Sequence, residues 1–171
     1  MNSESSKLYN ALKNNIHQMI KMYRELLEVV RKEKEILISA DLPSLDENNK
    51  RKESLLFKLR QLEGERIKLV EDICKSEGLN KEEPRLLDLA IHFRGEEGDK
   101  LRNLHSVLVL LLNRIKNFND QNESLVRAAL ESVNGAMNSI KQTLSQKPVY
   151  GGKKSAEKKQ EIGAQIMSKQ V

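Results

Sequence analysis

Residues 101–144 read LRNLHSVLVLLLNRIKNFNDQNESLVRAALESVNGAMNSIKQTL, and apolar side chains recur along them at Leu101, Leu104, Leu108, Leu111, Ile115, Phe118, Leu125, Ala129, Ala136 and Ile140. Spacings of three, four and seven describe one face of a helix. Neither Gly-Pro punctuation nor strand alternation breaks the run, so the expectation is a single long helix with a polar notch at Asn119 and Asn122. At 1.5 Å per residue such a helix is roughly 65 to 70 Å long, more than a compact domain needs to cover its own core. The sequence therefore predicts a rod with a flank or an end available to something else.

Composition agrees. The chain of 171 residues is 38% hydrophobic, 4% aromatic and 32% charged, with no Trp, eight Gly and three Pro. That balance suits helices burying Leu, Ile and Val along stripes rather than a thick core. Working outward toward the N-terminus, Leu8, Leu12, Met19, Met22, Leu26, Val29, Ile36 and Ala40 define a first helix over about Ser5 to Ala40, with Asn15 and Glu33 interrupting its stripe. Polar residues at such positions fix register in a coiled coil. The segment Asp41-Leu42-Pro43-Ser44 breaks the helix, and Ser44 with Glu47 reads as a capping box for a second helix reaching about Glu77. Its inner face is read from Leu45, Leu55, Leu56, Leu59, Leu62, Leu69, Val70 and Ile73, its first turns at Asn48 to Arg51 being polar. A connection this short makes the two helices an antiparallel hairpin.

Gly78 is a C-terminal stop, Glu82-Glu83-Pro84 opens a short helix over Leu86 to Phe93, and Gly95 with Gly98 marks a loose joint before the long helix. The fold class is all-α: an elongated antiparallel helical bundle or coiled coil of three long helices plus a short connecting helix. Residues 1–146 form the bundle domain and 147–171 a flexible Lys-rich tail.

The net charge of +5 is uneven. Six lysines against two glutamates from Lys147 to Val171 put +4 on the tail and leave the body nearly neutral. A nucleic-acid binder presents a basic face with Arg and aromatics on its folded part, so no nucleic-acid partner is expected. The longest apolar run, Val107 to Leu112, is six residues, where a membrane span needs about twenty. With a polar N-terminus and the single cysteine Cys74, the expectation is a cytoplasmic protein without membrane insertion.

Catalytic chemistry is not legible. His17, His92 and His105 stand on different segments, without the His-Glu-x-x-His, Glu-x-x-His or Cys-x-x-Cys spacing of metal sites. Gly151-Gly152-Lys153-Lys154-Ser155 lacks the upstream glycine and preceding strand of a phosphate loop. No nucleophile, base and orienting partner assemble, so the expectation is no enzyme, no metal and no cofactor.

Several short motifs carry a resemblance. Glu33-Lys34-Glu35-Ile36-Leu37, then Ala40-Asp41-Leu42-x-x-Leu45, Lys52-x-x-Leu55-Leu56-x-x-Leu59 and Arg66-x-x-Leu69, resemble the first hairpin of the FlgN family of flagellar export chaperones. Asn119-x-x-Asn122-x-x-Leu125-Val126 and Tyr150-Gly151 are similar to the family's two C-terminal marks, and the order from Arg24 to Gly152 is preserved. The tail from Lys153 to Val171 extends beyond the family's usual end.

The resemblance implies a cytoplasmic chaperone that binds the hook-associated proteins of the hook-filament junction, prevents their premature assembly, and delivers them to the type III export gate, with other export-apparatus components as further partners. The cargo stripe chosen on helical spacing is Leu125, Val126, Ala129, Val133, Ala136, Met137, Ile140 and Leu144. Its small residues allow close helix approach and Met137 adapts to different ligands. These residues either take a client helix or pack onto the first hairpin. Asn119 and Asn122 either set register inside the bundle or contribute hydrogen bonds to a partner. An aromatic at Tyr150, flanked by Pro148 and two glycines, suits anchoring in a partner's pocket, and the resemblance implies that Tyr150 and Gly151 dock on the export gate. The alternative is a structural or scaffold coiled-coil protein that self-associates through its long C-terminal helix. Which client is preferred, and the resting oligomeric state, are left open by the sequence.

Overall fold

The computed structural model describes residues 3–79 and 84–145. They form four helices in the order α1 (Ser3–Ser39), α2 (Leu42–Ser76), α3 (Leu86–His92) and α4 (Glu96–Ser145), and no strand occurs among the described residues. The all-α bundle of three long helices and one short connector is thus as expected. Packing divides the chain after Ser132 into two units, residues 1–132 and 133–171. The second is described over Val133–Ser145, all of it helix, and the 147–171 tail lies outside the described residues.

In the first unit, side-chain pairs give the directions. From Ser5 through Asn15 to Val29 in α1, the α2 partners fall from Ser76 through Leu62 to Asn48, so this pair is antiparallel. Tyr9 of α1 meets Glu97, and Val30 meets Asn122, so α4 runs parallel to α1. The core between them is aliphatic: Leu12, Ile16 and Val30 from α1, Leu55, Leu59, Val70 and Ile73 from α2, Leu89 from α3, and Leu101, Leu108, Leu111 and Ile115 from α4. Cys74 is buried with them as a small apolar side chain.

The hairpin turn differs from the sequence reading. Ala40 takes a left-handed φ of 54°, while Ala40 N–H reaches Leu37 O and Asp41 N–H reaches Ile36 O, closing α1. The N-cap of α2 is Asp41, whose carboxylate accepts from Ser44 N–H at 3.2 Å, rather than Ser44 itself. Pro43 fits the first turn because its missing donor would be unsatisfied there anyway. Gly78 does stop α2: at φ 69° it lets Leu79 N–H return to Cys74 O at 2.8 Å.

The joint before α4 is tight rather than loose. The helix begins at Glu96, five residues ahead of Leu101, and Gly98 is buried in its first turn. A Cβ on Gly98 would stand 1.7 Å from Phe93 O and 2.7 Å from Ala90 O. The Phe93 ring meets Tyr9 edge-on at 5.6 Å, and the Tyr9 hydroxyl donates to Glu97 O at 3.0 Å. Glycine is needed here for close backbone approach.

Candidate partner-docking surface

α4 carries two apolar stripes. Leu101, Leu108, Ile115 and Asn122 are buried at intervals of seven, with Leu111 buried and Leu104 and Phe118 half-buried between them. This is a coiled-coil seam against the hairpin. Continued at the same period it passes through Leu125, Ala129, Ser132, Ala136, Ser139 and Thr143, which are mainly small or polar. The large apolar residues instead move one position along, to Val126, Leu130, Val133, Met137, Ile140 and Leu144, alternating by four and three. The steps Phe118 to Asn122 to Val126 to Leu130 are three successive fours, an insertion that turns the stripe onto another face.

Burial follows that shift. Leu125 is half-buried, whereas Val126 is 50% and Leu130 59% exposed. In the second unit Val133, Met137, Ile140 and Leu144 are 50 to 63% exposed, and Ala129 and Ala136 are exposed beside the new stripe. Leu130 escaped the sequence reading, although the heptad count alone would have found it.

Within residues 1–132, two hydrogen bonds fix the register of α4 on α1. Lys34 Nζ donates to Gln121 Oε1 at 2.7 Å and Asn122 Nδ2 to Val30 O at 2.9 Å, separations of 87 and 92 residues. The end of α1 at Ser39 is therefore level with about residues 126 to 131 of α4.

The asparagine notch faces inward. Asn122 is buried with its amide donating to α1, and its Oδ1 has no hydrogen-bond partner. Asn119 Oδ1 accepts from Lys52 Nζ at 3.4 Å, and the same Lys52 pairs with Glu33 at 2.7 Å, both side chains being largely buried. Asn48, read from sequence as part of a polar first turn, is also buried, donating to Val29 O at 3.2 Å. Amides thus tie α2 and α4 to successive carbonyls, those of Val29 and Val30, on α1. Tyr150 and Gly151 lie outside the described residues.

Among the described residues no group of three or more His, Cys, Asp or Glu could hold a metal ion, and no helix is long and apolar enough to cross a membrane. The protein is of the class of α-helical bundles, with a packed hairpin in the first unit and an exposed apolar stripe on α4. The chain matches the family described as FlgN protein over residues 1–158 and belongs to that family. Neither curated proteins nor solved structures give a match. Membership gives the general role, a flagellar export chaperone, in a family of chaperones rather than enzymes.

Proposed function

We propose that this protein is a cytoplasmic chaperone for hook-associated proteins, which it holds on the exposed stripe of α4 and delivers to the type III export gate. The observation that supports this most is the stripe itself. Val126, Leu130, Val133, Met137, Ile140 and Leu144 keep heptad spacing yet are half-exposed or more. Exposed apolar surface of this length on a protein is a place for a partner, and heptad spacing calls for a partner helix.

The flanking positions favour a foreign helix over a second copy paired antiparallel. With Val126, Val133 and Ile140 at d positions, Arg127, Asn134 and Lys141 fall at e and Ala129, Ala136 and Thr143 at g. Two antiparallel copies paired in register would oppose Arg127 to Lys141, a like-charge contact. A client helix with acidic residues on that flank, and larger side chains over the alanines, complements it. Tyr150 and Gly151 serve as the export-gate contact in the loaded complex, with other export components as further partners.

Native mass spectrometry of the full chain with and without a hook-junction protein tests the reading. A one-to-one heterocomplex is the expected species. A homo-oligomer that ignores the junction protein would instead favour a self-associating scaffold.

A further inference from the structure

A cleft of about 460 Å³ opens where all four helices meet, entirely within residues 1–132, and no residue of the α4 stripe lines it. Its floor includes Met19, Tyr23 and buried Leu108, and its lip carries Leu87, Val109 and Leu112, each 40 to 45% exposed. Along α4, Leu112 and Val126 are separated by about 20 Å of helix rise.

Two guanidiniums, those of Arg66 and Arg85, line this cleft with the His105 ring, against the single carboxylate of Glu63. That carboxylate is already engaged: Arg66 donates Nε to Glu63 Oε2 at 2.8 Å and Nη2 to Oε1 at 2.6 Å. The hydrogen bond from Arg66 holds the Glu63 carboxyl below its usual range, and burial pushes the Tyr23 phenol up, with Glu63 adding to the rise. Water is thus partly excluded from the wall where the guanidinium sits, which strengthens charge pairing there. Arg85 is exposed at the start of α3 and has no ion-pair partner among the described residues; its backbone N–H, not its side chain, holds Asp88 at 2.8 Å.

From this combination we infer that the cleft is a second docking site, for a short acidic and apolar peptide segment of a protein partner. Bulky apolar side chains of the segment sit over Leu87, Val109 and Leu112, and a carboxylate between them meets Arg85. Apolar anchors supply the affinity, and the charge sets which peptides enter. The site is independent of the α4 stripe and does not rest on the client reading.

The test uses the full chain and two short fluorescein-labelled probes, leucines interrupted by aspartates and the same peptide with lysines in their place. Fluorescence anisotropy is expected to show the aspartate peptide binding about tenfold more tightly, with Arg85→Glu reversing the preference. Amide and methyl NMR shifts on adding the aspartate peptide should map to Leu87, Val109 and Leu112. Equal affinity for the two peptides, binding of neither, an unchanged preference in Arg85→Glu, or shifts confined to Val126 through Leu144 would each overturn the site. Ile140→Asp serves as the control: it should leave aspartate-peptide binding intact, and loss of that binding would place the peptide on the stripe instead.

Discussion

The side-chain amide of Asn122 donates to the backbone carbonyl of Val30 at 2.9 Å, joining the two parallel helices α4 and α1 where the buried seam of α4 ends. The other oxygen of that amide is buried without a partner. A polar group in such a place costs stability and specifies register, because any slip would bury the donor unsatisfied as well.

Asn122→Ala is accordingly expected to lower unfolding stability by about 1 to 2 kcal/mol through the lost hydrogen bond and the small void. Asn122→Leu, which also removes the orphaned oxygen, should lie closer to the wild type and loosen the register between α1 and α4. Urea midpoints measure the first effect. Disulfide trapping of paired cysteines placed at Lys34 and Gln121, or one turn out of step, measures the second. A loss as large for Leu as for Ala, with register kept, would refute the role.

Gly98→Ala puts a methyl against the backbone carbonyls of Phe93 and Ala90, which cannot move aside as a side-chain end would. Destabilisation of about 1 to 3 kcal/mol or more is expected, and the start of α4 should shift. Gly64→Ala is the matched control. Its Cβ meets nothing within 4 Å inside α2, so helix propensity alone should raise stability by about 0.5 to 1 kcal/mol. Thermal denaturation of the two variants would have to move in opposite directions.

The proposed client stripe makes a separate claim. Val133 and Ile140 are 56% and 59% exposed, so replacing both with Asp should leave circular dichroism and thermal stability nearly unchanged. Client affinity, measured by calorimetry with a hook-junction protein, should fall by several kcal/mol once those charges have to be desolvated at an interface. Unfolding of the free variant would show instead that the stripe is internal packing.

Tyr150→Ala is expected to preserve stability and client binding while weakening the loaded complex for the isolated cytosolic domain of the export gate. Binding titrations of the loaded wild-type and variant proteins against that domain decide it. Equal affinities remove Tyr150 from the gate contact, and loss of the client would assign the residue to the cargo surface.

Two buried or half-buried phenols contribute to stability at alkaline pH. Burial raises Tyr9 above its usual value of 10.0, with Glu97 adding to it, and burial with Glu63 raises Tyr23. A phenol whose pKa is higher folded than unfolded binds more protons in the folded state. Its contribution is therefore complete below about pH 10 and is lost as pH rises through the folded pKa. Denaturant midpoints should fall above pH 10, together with the tyrosinate absorbance change. Tyr9→Phe should flatten that fall while costing about 1 kcal/mol at neutral pH through the bond to Glu97.

Much of this architecture is written in local sequence. Apolar spacing determines the three long helices, the short break read at Asp41-Leu42-Pro43-Ser44 dictates an antiparallel hairpin, and Gly78 and Leu86 to Phe93 mark the stop and the short connector. The same periodicity contains the shift to fours at Phe118, Asn122, Val126 and Leu130, which separates the buried stripe of α4 from the exposed one. What periodicity cannot give is which neighbour covers a stripe and where that neighbour ends. Tertiary structure decided that Asn48 and Asn122 face inward, because only the third dimension brings the carbonyls of Val29 and Val30 to them. It decided that Gly98 is a contact rather than a hinge, because the Phe93 carbonyl that excludes a side chain there arrives through the fold of the α3–α4 joint. The cleft between Arg66, Arg85 and His105 is likewise invisible along the chain: its walls come from four helices whose charged and apolar residues share no local pattern, and only their packing sets them around one space.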